Sequence, residues 1–485
     1  MNTAGKKVIS INRFRAGAYD GASTSSRAQT WGTSTHGPNS GLVSALNGLR
    51  SRSRSIYRNA PYIKKALNQL TTDEIGSGII PRSLSGNNTA LDAYWKTVSD
   101  NIDPEGLVNF SSMLAQIAIG RRLGGEIFIR KRVRRGASAA SPLQLQVLES
   151  EYCPEDMCET RPNGNTVKAG IEFNRSGQRV AYFFYTDHPA DGLYSRSATS
   201  FTRKRVRIPA RDVIHHYRPT RAGQLRGEPD VTQVLVKINT LEKYIDAELL
   251  RKESKSSYSG AVTRDPQVFE NEDDENTVAQ GSMAVTPSSF VELLAGENIE
   301  LFEGDAAGQG FDLFMNEILR SIAAGLEIPF ELMTGNYAAI NDRLLRGVMD
   351  TYHRRIEMDQ HLMISQVCTT VWRWSLEAGL LTGATGAYTD DDLDVQWSPQ
   401  AWPYINPVQD VQARVAEIEA GLKSRQQAVG ERGGDVEKVD EQRAEDQKRE
   451  KALGIEKIEP PVGGMAPNKE PKDPSDNQPA NRKPK

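Results

Sequence analysis

Apolar periodicity is nearly absent from the first forty residues and then sets in abruptly. Residues 1–40 are rich in Gly, Ser, Thr and Arg, which predicts a flexible arm. Two helices are expected near 41–58 and 61–75, with Pro61 suited to the first turn of the second and Gly76-Ser77-Gly78 ending it. Helical spacing recurs over Ala90–Asn101 and Phe110–Leu123. The period then falls to two over Glu126–Val133, Leu143–Leu148, Val167–Phe173, Arg179–Tyr185 and Arg211–Tyr217, predicting half-buried strands. Asn174-Arg175-Ser176-Gly177 reads as a hairpin turn between two of them. Together these segments predict one α+β domain.

After Gly227-Glu228-Pro229 the pattern changes. Val231, Leu235, Ile238, Leu241, Ile245 and Leu249 recur at steps of three and four, predicting a long helix with charges on its other faces. Short β-like pieces follow at Met283–Val285 and Val291–Leu294. Phe311–Leu326 is helical again, Pro329 interrupts it, and Met333–Tyr337 reads as a loop. Leu345, Val348, Tyr352, Ile356, Met363, Val367, Val371 and Trp374 then mark a second long helix ending near Gly379. Asp359 shares their face, so a bend or an exposed stretch is expected there. Residues 408–453 read as one or two charged helices broken at Gly433-Gly434, and the chain from Pro460 as a disordered polar tail.

A length of 485 residues allows about three domains, and the mean hydropathy is −0.54. No apolar run approaches the roughly 18 residues of a membrane span. The stretch MNTAGKKVISINRFRAG has no apolar segment of signal-peptide length, so a soluble protein without an export signal is expected. Cys153, Cys158 and Cys368 form no CxxC pair, and the six histidines show no metal spacing, which fits a reducing compartment and no structural zinc.

The net charge of −3 conceals a strong polarity. Residues 1–70 hold eleven Lys and Arg against Asp20 alone, whereas residues 265–305 hold eleven Asp and Glu and no Lys or Arg. A protein gripping DNA tightly would be basic throughout. Walker A, G-x-S-x-G, HExxH and Rossmann patterns are all missing. Glu272-Asp273-Asp274-Glu275 and Asp390-Asp391-Asp392 are contiguous runs without EF-hand spacing, and read as solvated acidic loops. The basic runs Arg130–Arg135 and Arg203–Arg207 read more readily as solvated strand ends or a subunit salt-bridge surface than as phosphate contacts. In a ring such alternation has a use, since each subunit offers one sign of charge to its neighbour's opposite.

Several motifs in fixed order resemble the lambda-type portal proteins of tailed bacteriophages. They are RSRSRSIYRNAPYIKKALNQLTTDEIGSGIIPRS (50–83), GIEFNRSGQRVAYFFYTDHP (170–189), VIHHYRPTRAGQLRGEPDVTQVLVKINTLEKYIDAEL (213–249), IAAGLEIPFELMTG (322–335) with Asn341 and Arg346, and WSPQAWPYINPVQDVQA (397–413). The resemblance spans about residues 40 to 450. It implies a non-enzymatic, cofactor-free α+β portal fold: a mixed wing domain with long stem helices, a small clip and a helical C-terminal crown, assembled as a dodecameric ring. The expected regions are a basic arm (1–40), wing (41–228), first stem helix (229–256), acidic clip (257–308), second stem helix (309–327), tunnel loop (328–345), long helix and return to the wing (346–407), crown (408–458) and tail (459–485).

On the same resemblance, Asn336, Tyr337, Asn341, Asp342 and Arg343 are candidates for the DNA-channel loop. Glu270, Glu272, Asp273, Asp274 and Glu275 are candidates for the clip that docks the motor, and Lys237, Lys243 and Arg251 for the stem. The family often carries an aromatic and small hydroxyl residues after the loop's Asn, where this chain has Asp342, Arg343 and Leu344. Implied partners are double-stranded DNA, the terminase large subunit, the major capsid protein and head-completion or tail-connector proteins, with no membrane. The implied place is the head–tail vertex of a virion, reached from the host cytoplasm during assembly. Another virion connector ring, or less readily a metal-dependent phage nuclease, are the alternatives.

Overall fold

A computed structural model describes residues 36–85, 88–134, 142–191, 204–257, 260–264, 297–301, 311–338, 340–385, 388–400, 402, 407–431 and 436–454. It divides into two compact units, one up to Pro407 and one from Val408. Among the described residues no helix is long and apolar enough to cross a membrane.

The first unit opens with helices α1 (Ser40–Asn59) and α2 (Pro61–Ile75), separated by Ala60 in an extended conformation, with Pro61 in the first turn of α2. Strand β1 (Ile80–Ser83) and helices α3 (Asn88–Asp100) and α4 (Phe110–Gly124) follow. The Asn109 side chain accepts from the Ser112 amide to cap α4, and left-handed Gly125 ends it. Strands β2 (Glu126–Val133) and β3 (Leu143–Glu149) form a three-stranded antiparallel sheet with β9 (Val213–Tyr217), in the order β3-β2-β9. A second antiparallel sheet orders β4 (Glu159–Thr160), β5 (Thr166–Lys168), β6 (Ile171–Phe173), β7 (Arg179–Tyr185) and β8 (Arg205–Pro209) consecutively.

The single strand expected over Val167–Phe173 is therefore two. Ala169 and Gly170 both take positive φ and fold β5 back on β6, a turn that alternation alone does not reveal. The Asn174–Gly177 turn joins β6 to β7 as expected, with Gly177 at φ 80°.

The long helix α5 (Leu235–Ser257) precedes a hairpin of β10 (Gly260–Arg264) and β11 (Glu297–Leu301). The β-like pieces expected at Met283–Val285 and Val291–Leu294 lie outside the described residues. Helix α6 (Phe311–Gly325) is followed by the short α7 (Phe330–Thr334), which takes in Met333 and so shortens the expected loop from its N-terminal side. Helix α8 (Asp342–Met363) runs through one π turn (Ile364–Cys368) into α9 (Thr369–Thr382). Strand β12 (Val395–Ser398) returns to pair with β1.

Among the described residues three larger cores, and a small one of Met157, Val167 and Phe183, hold this unit together. Trp95 packs edge-on against Phe110 (5.2 Å) and Trp397 (5.8 Å) and lies 5.4 Å from Trp372, joining α3, α4, α9 and β12. Ile63, Leu67 and Leu70 of α2 meet Ile238, Leu241, Ile322, Met333, Tyr352 and Ile356 in the second. Phe128, Leu148, Tyr182 and Phe184 fill the third, where the two sheets meet. The second unit comprises α10 (Pro407–Glu419), α11 (Arg425–Gly430) and α12 (Val436–Leu453). The Ser424 side chain caps α11, and Arg425 pairs with Asp440 of α12. Gly433-Gly434 lies outside the described residues.

Candidate functional site

Two buried ionic clusters that the amphipathic pattern does not announce tie the helices and sheets of this unit together. At the first, Glu126 begins β2 and is fully buried. It receives Arg50 Nη2 of α1 at 2.8 Å, Arg226 Nε at 2.6 Å, the Gly227 amide at 2.9 Å and His215 Nε2 at 2.8 Å. Burial alone would raise this carboxyl. Arg226, the His215 hydrogen bond and Arg50 instead hold it far below the usual carboxylate range.

Arg179 Nη1 meets His215 Nδ1 at 2.9 Å, so that nitrogen accepts and Nε2 carries the proton donated to Glu126. Burial pushes His215 down to about 4, which agrees with a neutral ring. Arg226 also donates to the carbonyls of Ala169, Ser150 and Cys153. Gly227 has no room for a Cβ, which would strike the Gly125 carbonyl. The Arg226-Gly227-Glu228-Pro229 motif is thus a joint between α1, both sheets and the entry to α5.

The second cluster lies beneath α8. Arg122 of α4 is completely buried; it contacts Glu74 of α2, Asp230 Oδ2 at 3.0 Å and Asp359 Oδ2 at 3.1 Å. Arg121 reaches the same Asp359 oxygen at 3.3 Å, and Arg355 reaches it at 2.8 Å. Burial would raise the Asp359 carboxyl, but Arg121, Arg122 and Arg355 hold it well below the ordinary range. The expected bend or exposure at Asp359 is not found. Three guanidiniums make a charged residue compatible with a buried helix face, and the irregularity falls at the following π turn. There Gln366 accepts from the Tyr217 amide and donates to its carbonyl, each at 3.3 Å, and meets His216 Nδ1 at 2.8 Å. One side chain thus replaces a neighbouring strand at the edge of β9.

From this base the candidate loop projects. Gly335 closes α7 at φ 78°, Asn336 Oδ1 accepts the Ala338 amide, and Tyr337 is 48 % exposed. Asn341 caps α8 by accepting the Leu344 amide at 2.9 Å, and Arg343 is exposed beside it. The Asp342 side chain lies outside the described residues. So do the clip candidates Glu270, Glu272, Asp273, Asp274 and Glu275. The stem candidates sit on α5: Lys237 contacts Ser321 of α6 at 2.5 Å, Lys243 is exposed, and Arg251 pairs with Glu248 at 2.7 Å.

Toward its C-terminal end α5 packs against α6, with Tyr244 stacked on Phe311 at 5.8 Å. Val236, Leu249, Leu250, Leu313 and Phe314 are left exposed on the pair.

The described residues of the basic runs lie mostly at the surface, with Arg132, Arg134, Lys204, Arg205 and Arg207 exposed. Lys131 pairs with Glu377 and lies over Trp374, and Arg207 Nε donates to the buried Glu172 at 2.7 Å. Glu149, Glu151 and His188 come close enough to suit a cation, a grouping not expected from histidine spacing. Arg54 already pairs with both carboxylates, and His188 Nδ1 accepts the Ala190 amide, which disfavours the tautomer a metal at Nε2 requires.

A family model described as phage portal protein, lambda family, matches residues 24–360. A probable portal protein of Halomonas phage phiHAP-1 is 23% identical over 426 residues, covering 84% of this chain and 81% of that protein. Portal protein B of Escherichia phage lambda is 20% identical over 508 residues, covering 94% of this chain and 93% of its own. Among solved structures, a chain from the neck of an empty gene transfer agent particle has a TM-score of 0.41 at 14% identity, covering 79% of this chain and 93% of that one.

Proposed function

The chain belongs to the lambda family of phage portal proteins, and from that membership we propose that its copies close into a dodecameric ring at the head–tail vertex, through which double-stranded DNA is packaged and ejected. The observation that carries the ring is the α5–α6 pair. Besides their contacts with the core, the two helices expose Val236, Leu249, Leu250, Leu313 and Phe314, a surface that a second copy would bury. Lys243 and Asp246 on the same helix supply both signs of charge to such a contact.

The charge distribution favours a conduit over a clamp. Duplex DNA carries one charge per ~1.7 Å, and each neutralised phosphate adds salt-dependent affinity. With its buried guanidiniums matched by Glu126, Glu74, Asp230 and Asp359, much of the wing's basic charge serves the fold rather than DNA. In this reading Asn336, Tyr337, Asn341, Asp342 and Arg343 face the channel. The stretch around Glu270, Glu272, Asp273, Asp274 and Glu275 lies near the exit, limits sticking and docks the terminase, which head-completion or connector proteins later replace. The capsid holds the ring from outside.

Negative-stain microscopy of the purified chain, with native mass to count subunits, tests the ring. Rings with a hole wide enough for duplex DNA are expected. A lasting monomer that cleaves DNA with a divalent metal would overturn the reading. Replacing Glu272, Asp273, Asp274 and Glu275 with Lys is expected to impair packaging into heads; unchanged packaging would remove the clip assignment alone.

A further inference from the structure

The two outer flanks of the α5–α6 pair differ in charge. Tyr244 marks the side of α5 turned to α6, since its ring meets Phe311 at 5.8 Å and Phe314 at 4.8 Å. Glu242 and Asp246 stand two residues to either side of it, about 200° round the helix, and so on the flank turned away from α6. They are one turn apart and alike in charge, a spacing that opposes the helix. Burial and the Asp246 charge raise the Glu242 carboxyl above its ordinary value. Among the described residues no cation pairs with either. Arg320 holds the corresponding place on α6. It follows Phe311 by nine residues, about two and a half turns, which puts it on the flank turned away from α5. It is exposed, its guanidinium lies over the Phe330 ring at 5.4 Å, and among the described residues no carboxylate pairs with it. The aromatic face holds that charge in place without neutralising it.

We propose that Glu242 and Asp246 of one copy clasp Arg320 of the next, so that this ionic contact fixes which flank meets which and in what register. The proposal rests on the ring reading and adds to it the charges that order the copies. Flanks of opposite sign on opposite sides of one helix pair suit a head-to-tail contact, which repeats round a ring. A two-fold contact of the α5 flank with itself would instead set four carboxylates against each other, and their repulsion disfavours a closed dimer there. The heights agree. Lys237 contacts Ser321 at 2.5 Å and Tyr244 meets Phe314, so the helices run antiparallel with these two levels about 10 Å apart, and Glu242 and Arg320 both lie between them. For helices running along the ring axis, rotation returns every residue to its own height, and the two charges come opposite each other. The several donors of one guanidinium serve both carboxylates. Repulsion that opposes α5 in the lone protomer is thus relieved on assembly.

Native mass and negative-stain microscopy of the purified full chain test this on two variants, Arg320→Glu and the double Glu242→Arg with Asp246→Arg. Each variant alone sets like charges across the contact and is expected to lower the fraction of chains in rings at least about tenfold. An equimolar mixture of the two is expected to restore rings in which the variants alternate, because every junction then joins opposite signs. Recovery on mixing also shows that both variants fold. Rings undiminished in either variant alone overturn the proposal, as do variants that fail singly and stay unassembled when mixed. In both cases wild-type rings leave the ring reading standing. A wild type that forms no rings removes that reading and this proposal with it.

Discussion

At the scale of single residues, the buried ions decide the most. Glu126 lies fully buried among Arg50, Arg226 and His215. Glu126→Gln is expected to cost about 3–5 kcal/mol, since it leaves guanidiniums buried without their counter-ion. A shift in urea midpoint corresponding to less than about 1 kcal/mol would contradict that. His215 and His216 are neutral when folded, pushed by burial to about 4 and about 3. In the unfolded chain they take up protons below about 6.5. Stability is therefore fully present above that value and falls as the pH drops toward 4, by up to about 1.4 kcal/mol per unit for each histidine. Carboxylates such as Glu151, held by Arg54 at about 2 although burial opposes it, add a loss of the same sign below about pH 4. A melting temperature flat from pH 6.5 to 4 would refute the histidine part.

Among elements, the π turn between α8 and α9 is the one whose irregularity has a visible use. It aims Gln366 at the edge of β9, where the amide satisfies both backbone groups of Tyr217. Gln366→Leu keeps the volume and removes these bonds, and is expected to destabilise by about 1–3 kcal/mol, measurable by chemical denaturation. Little of this is visible in the sequence. The apolar spacing predicted one long helix through Leu345–Trp374, which is right in direction, but an extra residue in one turn barely disturbs the period. Likewise Arg121 and Arg122 continue the apolar face of Leu114, Ile117 and Ala118. That was a signal for a buried charge, though the identity of its partners, distant in sequence, was not there to read.

For the whole molecule, the α5–α6 pair separates folding from assembly. Its flank residues are exposed in the protomer, so Leu250→Glu together with Leu313→Glu is expected to leave protomer stability within about 1 kcal/mol. The same pair is expected to abolish rings, scored by native mass and microscopy. Rings that persist would move the subunit contact elsewhere. DNA binding by wild type is expected to be weak with a shallow dependence on salt, checked by titration at several ionic strengths; a steep slope would indicate a clamp.

Family, class and the order of helices and strands are legible in the linear chain, because repeated motifs and the 3.6- and 2-residue periods are local properties. Gly177 in its turn belongs to the same category. Tertiary structure alone decided that Arg50, Glu126, His215 and Arg226 share one site and that Asp359 is buried rather than bent outward. The physical reason is common to both. A charge is tolerated in a core according to what the fold brings alongside it, and those neighbours lie up to hundreds of residues away in the chain.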